Sequence, residues 1–179
     1  MQLRPAMPAD FAALGQVMFD AIRTGPCPYS EAQRAAWCPE PPGGDGWDDR
    51  LAQQALVMLV EDAAGPAGFM TLRGDGYIDL AFLLPRARGQ GQFRQLFTAV
   101  EAKALDLGMA KLETHASLMA EAPFAKMGFA VVTREEVERA GQRLRRAQMR
   151  KPLRAVAGTA KRGSVAAAPC NDTERDQLA

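Results

Sequence analysis

Apolar residues recur at helical spacing in two segments of the chain. The first segment, residues 11–23, has an apolar side chain every three to four positions and follows Asp10, which we predict as its N-cap. The second, residues 90–107, places its apolar residues on one face and ends before Gly108, a residue type that often terminates helices. The spacing predicts an early helix and a long central helix.

Short apolar runs separated by turn residues predict strands. An antiparallel meander is expected where Ala-Ala-Gly-Pro and Gly-Asp-Gly separate three runs, residues 56–61, 67–73 and 77–84. Later candidate strands cover residues 112–117, 130–137 and 143–153, with a short helix over residues 119–127. Because strands occur on both sides of the helices in chain order, we predict an α/β fold with a mixed sheet.

Two stretches lack a regular pattern. Residues 24–49 hold many prolines and a Gly-Gly-Asp-Gly run, with one short helix expected over residues 30–37, where a Ser-x-x-Gln capping box begins it. Residues 154–179 are mostly alanine, other small residues and charges without an apolar period, which predicts a disordered tail. We therefore expect one folded domain, residues 1–153, followed by this tail.

Composition limits the class of protein. The chain has 179 residues, 47% of them hydrophobic, with 22 basic and 21 acidic side chains. The length and apolar share suit one domain, and the balanced charge gives no overall electrostatic footprint for nucleic acid. The basic run at residues 143–154 is more simply a solvated strand edge.

The same sequence gives no sign of export, membrane insertion or metal binding. No signal-peptide pattern opens the chain, and its longest apolar run, residues 55–60, is too short to span a bilayer. Cys27, Cys38 and Cys170 lack metal-ligand spacing and are accompanied by a single histidine. We expect a soluble cytoplasmic protein with free thiols, no metal and no membrane partner.

A glycine loop precedes the long helix. Its sequence is Arg86-Ala87-Arg88-Gly89-Gln90-Gly91. The first amides of a helix have no intrahelical partner and carry partial positive charge, so anions bind there. Glycine lets an anion approach the backbone closely, and nearby arginines add full charges. A diphosphate fits this loop.

Spacing distinguishes three kinds of phosphate-binding loop. The Gly-Lys-Ser/Thr of a triphosphate loop is absent, and Arg94 stands where a dinucleotide loop needs its third glycine. The remaining match is Arg86-x-x-Gly89-x-Gly91, which resembles the Arg/Gln-x-x-Gly-x-Gly/Ala signature of the GNAT N-acetyltransferases. A second block, from Ser117 to Phe129, resembles that family's Asn/Ser-x-x-Ala-x-x-x-Tyr/Phe-x-Lys-x-Gly-Phe ending. The resemblance covers residues 2–153.

This resemblance implies a single-domain N-acetyltransferase with a mostly antiparallel central sheet flanked by helices. The cosubstrate would be acetyl-CoA, with no metal. In the family, the strands before and after the long helix diverge and hold the pantetheine arm, and many members form homodimers through their last strands. Carried over, the cofactor-binding residues would be Leu83 and Leu84 for the pantetheine, Arg88, Gly89, Gln90, Gly91, Gln92 and Phe93 for the pyrophosphate, and Phe124.

Direct transfer to an amine requires a proton acceptor, because an alkyl ammonium has a pKa of about 10. Asp79 is the first candidate: alternation along residues 77–84 puts it opposite an apolar face that contains Ile78 and Leu80. The second choice is His115 with Glu113, which share a strand face with Ser117. Structural interpretations stay open for both candidates, a strand-entry cap for Asp79 and a hydrogen-bonded sheet histidine for His115.

The general acid is not assigned by the sequence. Phe124 stands where the family often has a tyrosine that protonates the departing thiolate. Water or Ser117 could supply that proton instead. The missing hydroxyl also allows an alternative, a non-catalytic acyl-CoA-binding sensor or interaction module.

The acceptor site is expected in the irregular segment. Tyr29, Trp37 and Trp47 lie there among several acidic residues, a mixture that can hold a cation against aromatic faces. The alternative is that the tryptophans anchor this segment onto the core. The acceptor would be the amine of a small molecule or a protein.

Overall fold

In the computed structural model, which describes residues 1–153, seven strands form two antiparallel sheets. The first has the strand order β1-β2-β3-β4 and the second β5-β7-β6. The strands are β1 (Gln2–Pro5), β2 (Leu56–Asp62), β3 (Gly65–Leu72), β4 (Ala81–Leu83), β5 (Lys111–Ser117), β6 (Ala130–Arg139) and β7 (Gln142–Pro152). The predicted tail, residues 154–179, lies outside the described residues.

Five helices flank these sheets. They are α1 (Phe11–Arg23), α2 (Glu31–Trp37), α3 (Asp45–Ala52), α4 (Gln92–Asp106) and α5 (Glu121–Lys126), with two 3-10 turns at Pro8–Asp10 and Pro85–Ala87. The long helix and the Ser30 capping box of α2 are confirmed.

Alternating residues of β2 and β3 supply two separate cores. Val60 and Met70 are fully buried on the α4 side, and Leu59 and Phe69 are fully buried on the side of α1 and α3. Neighbouring residues thus point to opposite faces, as in the strands that the apolar runs predicted. Both faces of the sheet are covered. The sheet is therefore a rigid support between two helical layers.

Two local features differ from the predictions. Asp10 occupies the N-cap position of α1, but its side chain makes no capping hydrogen bond to that helix: the carboxylate pairs with Arg4 at 2.7 Å and accepts the Met7 N–H. The segment before β2 also holds a second helix, α3. Its buried apolar residues are only Trp47 and Leu51, one turn apart, which is too short a pattern to predict a helix.

The predicted strand over residues 77–84 is interrupted, and the two sheets meet at the interruption. Tyr77 forms a parallel bridge with Glu113, and the Ile78 N–H donates to the Glu113 carbonyl at 2.8 Å. Ile78 packs in the α4 core, whereas Leu80 packs in the α1 core, so their predicted placement on one face was wrong. The reason is that the Thr71 hydroxyl accepts the Leu80 N–H, which turns the chain toward β3. Beyond this point, β4 and β5 separate.

Candidate active site

Two cavities lie in the gap between β4 and β5. The larger has a volume of about 330 Å³ and the smaller about 240 Å³. Residues that line both are Trp37, Ala81, Phe82, Ser117 and Ala120. Because the cavities share these residues, molecules bound in each of them would meet near Ser117.

The smaller cavity follows the free edge of β4. The Leu84 N–H donates to the Ala67 carbonyl and the Leu84 carbonyl accepts from the Ala87 N–H, so neither group of Leu84 is available to a ligand. Strand alternation directs the Leu83 N–H and carbonyl to the opposite edge, toward the cavity. The Leu83 carbonyl there accepts from Arg88 Nε at 3.1 Å. Of the two residues predicted to contact the pantetheine, Leu83 directs its N–H to the edge of β4 that pairs with no other strand within residues 1–153.

The glycine loop is open to a ligand. Gly89 and Gly91 have φ of +75° and +80°, the left-handed region that favours glycine, and a Cβ on either would contact nothing within 4 Å. Gly91 precedes the first turn of α4, where Gln92 is buried and Phe93 lies beside the cavity. Within residues 1–153, Gln92 Oε1 has no hydrogen-bond partner.

The arginines of this loop form hydrogen bonds and ion pairs with other groups of the protein. Arg86 pairs with Asp62 at 3.1 Å, and Gln90 Nε2 donates to the Arg86 carbonyl. Arg88 reaches across to the Ala21 carbonyl at 2.8 Å, and burial lowers the pKa of its guanidinium. Arg86, which was expected to add a charge for an anion, is thus already paired with Asp62. The backbone amides at the start of α4 are therefore the candidate anion-binding groups of this loop.

Four side chains contact one another in series at the larger cavity, and one of them, Glu135, lies just outside its lining. The Tyr77 hydroxyl lies 2.7 Å from His115 Nδ1, and His115 Nε2 lies 3.5 Å from Glu135 Oε1. Arg146 Nε donates to the same Glu135 oxygen at 2.6 Å. A hydrogen on Nε2 facing Glu135 leaves Nδ1 free to accept the Tyr77 O–H.

Burial and the Arg146 charge lower the pKa of His115 below its usual 6.5, against the opposing effect of Glu135. Burial raises the pKa of Tyr77. At neutral pH the site therefore holds a neutral imidazole next to a protonated phenol. Sequence reasoning missed Tyr77, Glu135 and Arg146, since only the register of the β6–β7 hairpin pairs Glu135 with Arg146.

Asp79 lines the same cavity but already has a partner. Both carboxylate oxygens accept from Arg50, at 2.8 and 2.9 Å. Arg50 belongs to α3, the helix that the sequence pattern did not indicate. Proton uptake by Asp79 would break this bidentate pair, which favours His115 of the two predicted bases.

Ser117 ends β5 where the two cavities meet. Phe124 is fully buried and packs edge-on against Phe93 and Phe129, with ring centroids 5.0 Å apart in each pair. A tyrosine would need room for its hydroxyl in this packed cluster. Phe124 thus serves the wall of the site by packing.

The three predicted aromatic residues lie in different surroundings. Trp37 lines both cavities. Tyr29 borders the larger one, but its hydroxyl donates to the Arg145 carbonyl and accepts the Leu118 N–H. Trp47 lines neither: it is buried, donates from Nε1 to the Phe11 carbonyl at 2.7 Å and packs edge-on against Phe69. The structure places Trp47 in the core, where it anchors α3.

We expect Trp47→Phe to lower the free energy of unfolding by about 2 kcal/mol, because it removes buried volume and leaves the Phe11 carbonyl without its donor. Urea unfolding would measure this loss. The KM for an acceptor should stay unchanged, since Trp47 lies outside both cavities. A raised KM with unaltered stability would return Trp47 to the binding site.

Residues 1–153 contain neither a metal-binding group nor a membrane-spanning helix. This part of the chain has no group of three His, Cys, Asp or Glu side chains placed to hold a metal ion. None of its helices is long and apolar enough to cross a membrane. Cys27 and Cys38 are free thiols, and Cys170 lies outside the described residues.

Comparison with known proteins identifies the domain. Residues 28–153 match the family model of the acetyltransferase (GNAT) domain. The chain is similar to a GCN5-related N-acetyltransferase from Rhodopseudomonas palustris, with 29% identity over 85% of this chain and 95% of that one, and a TM-score of 0.74. A search of curated protein sequences finds no match.

Two further solved structures share the fold and contain acetyl-CoA. A phosphinothricin acetyltransferase from Sinorhizobium meliloti, in complex with acetyl-CoA, is 20% identical over 90% of this chain and 94% of its own, with a TM-score of 0.66. The putative acetyltransferase yncA from Salmonella typhimurium, with its cofactor acetyl-CoA, is 18% identical over 92% of this chain and 99% of its own, with a TM-score of 0.61.

Proposed function

The chain belongs to the GNAT acetyltransferase family, and from this premise we propose that it transfers the acetyl group of acetyl-CoA to a primary amine by direct attack in a ternary complex. The supporting observation is the pair of cavities that meet at Ser117. One cavity has a glycine loop at its end and the other holds a neutral histidine. Two substrates can therefore reach one point from opposite sides.

The residues around the smaller cavity fit acetyl-CoA. The Leu83 N–H at the edge of β4 suits a pantetheine carbonyl, and the amides from Arg88 to Phe93 suit a diphosphate. The space above Gly89 and Gly91 is open, so the backbone can be approached closely. The cofactor supplies an activated thioester, and a backbone N–H at the edge of β4 would stabilise the oxyanion formed on its carbonyl.

His115 is the proposed proton acceptor, acting through Tyr77. The attacking nitrogen forms a bond to the acetyl carbon and loses a proton to the Tyr77 oxygen, as Tyr77 passes its own proton to His115 Nδ1. The imidazolium then lies next to Glu135, whose carboxylate stabilises the positive charge. The C–S bond breaks, and the thiolate takes a proton from water, either directly or through the Ser117 hydroxyl, which regains its proton from that water. The imidazolium of His115 returns its proton to solvent, so the site is restored.

The test is release of the CoA thiol from acetyl-CoA in the presence of a broad panel of amines, with mass spectrometry of the products. We expect thiol release that depends on an amine and a product that is heavier by one acetyl group. Saturable acetyl-CoA binding with no turnover of any amine would instead support an acyl-CoA-binding sensor, the alternative that Phe124 raises.

A further inference from the structure

Arginines dominate the wall that β6 and β7 contribute to the larger cavity. Register pairs Val137 with Leu144, and Glu135 with Arg146, on the face toward the cavity. Arg139 lies further along the same face of β6. The wall therefore has an apolar middle with an arginine on each side.

The charges around this cavity do not balance. Its lining contains four arginines and one carboxylate, Asp79, which Arg50 already holds. Glu135 compensates part of the Arg146 charge from the edge. Among the residues that the structure describes, Arg139 forms no ion pair. Arg145 lies between Leu144 and Arg146 on β7, so alternation directs its side chain to the opposite face, and its carbonyl accepts from the Tyr29 hydroxyl. The cavity thus has an excess of positive charge, which concentrates anions and repels simple alkylammonium ions.

Arg146 is the lining arginine whose position in the sheet is opposite the meeting point of the cavities. It is the cross-strand partner of Ser117, and 32% of its side chain is exposed. Its Nε is bonded to Glu135, while within residues 1–153 its terminal nitrogens have no acceptor. A guanidinium presented in this way binds a planar carboxylate or a phosphonate through two parallel hydrogen bonds.

We infer that the acceptor is an amine that also carries an anionic group, a carboxylate or a phosphonate, and that Arg146 binds this group. The inference rests on the proposed function and specifies its acceptor. When the anionic group of a small molecule is bound to Arg146, its amine lies close to Ser117 and to the Tyr77–His115 pair. The remaining positive charge disfavours the ammonium form, which helps the amine reach its neutral, reactive state.

The experiment compares matched acceptors with the full-length protein. Each of a set of L-amino acids is paired with its carboxamide, and 2-aminoethylphosphonate is paired with ethylamine. Thiol release gives kcat/KM, and calorimetry of the CoA complex gives affinity. We expect at least a tenfold preference for the anionic member of a pair. The amine of a carboxamide is less basic than the amine of its amino acid, so a larger share of it is neutral at a given pH. This difference alone would favour the carboxamide, which is opposite to the expected preference.

Arg146→Gln should reduce the preference to about twofold or less, and Arg146→Lys should restore part of it. A ratio measured within one variant does not depend on the folded fraction. The matched control is Arg143→Gln, an exposed arginine on the same strand that does not line the cavity, and it should keep the wild-type preference.

Equal or better use of the uncharged members would overturn this inference and leave the acetyltransferase proposal standing. Lack of turnover across the whole panel would contradict the proposed function. In that case, binding of the acids to the CoA complex, lost in Arg146→Gln, still supports the anion site, and the absence of such binding overturns it.

Discussion

Gly89→Glu should reduce the affinity for acetyl-CoA by more than a hundredfold. Gly89 has φ of +75°, so any side chain there is strained, and the glutamate would put a negative charge where the diphosphate is expected to bind. A Cβ at Gly89 meets no protein atom, so the loss would come from the ligand site and not from a clash within the fold. Calorimetric titration with acetyl-CoA measures it.

Gly108→Glu is the matched control. Gly108 lies just beyond the other end of α4, has φ of +70° and is equally open to a Cβ. The two variants introduce the same charge and similar backbone strain, each at a cost of about 1 kcal/mol in stability. Acetyl-CoA affinity should fall in Gly89→Glu alone. Equal affinities in the two variants would remove the glycine loop from the cofactor site.

The features that the sequence predicted well depend on short-range patterns. Helix α4, the capping box at Ser30 and the glycine loop are encoded within about fifteen neighbouring residues each. The motif spacing from Arg86 to Phe129 was enough to indicate the GNAT family, which the family model confirms. Local hydrogen bonding and burial of one helix face determine these elements, so they can be inferred without the fold.

The details of the site depend on contacts between distant segments. Arg50 meets Asp79 because α3 packs beside the interrupted strand, and α3 has only a two-residue apolar signal. Glu135 reaches His115 through the pairing of β6, β7 and β5, in which a shift of one residue would turn it away. Periodicity in one segment contains no information about such pairings.

The interruption at Thr71 and Leu80 is a further example. Alternation alone placed Ile78 and Leu80 together, but a side-chain hydroxyl replaces a backbone acceptor and rotates the strand between them. The opening between β4 and β5 follows from this turn, and both cavities lie within it. The site thus lies beside an interruption of the regular strand pattern.

His115→Gln should lower kcat by about a hundredfold or more, the usual contribution of a positioned base, while acetyl-CoA affinity stays unchanged. Glutamine keeps hydrogen-bonding groups near Tyr77 and Glu135 but cannot take a proton at neutral pH. Steady-state rates with an accepted amine, together with the thermal stability of the variant, would separate loss of chemistry from loss of fold.

The dependence of kcat on pH follows from the protonation state of His115. Burial and Arg146 lower the pKa of His115, so the base is neutral and active above pH 6.5. The wild-type kcat should fall only as the pH drops below 6.5 through that lowered pKa, and this acidic limb should be absent from His115→Gln.

Asp79→Asn is the comparison that decides between the two predicted bases. Because Arg50 already binds both oxygens of Asp79, we expect this variant to lose less than tenfold in kcat and to keep the acidic limb. If Asp79→Asn removed the limb and His115→Gln retained it, the proton would go to the carboxylate. The Arg50 pair would then have to open during each turnover.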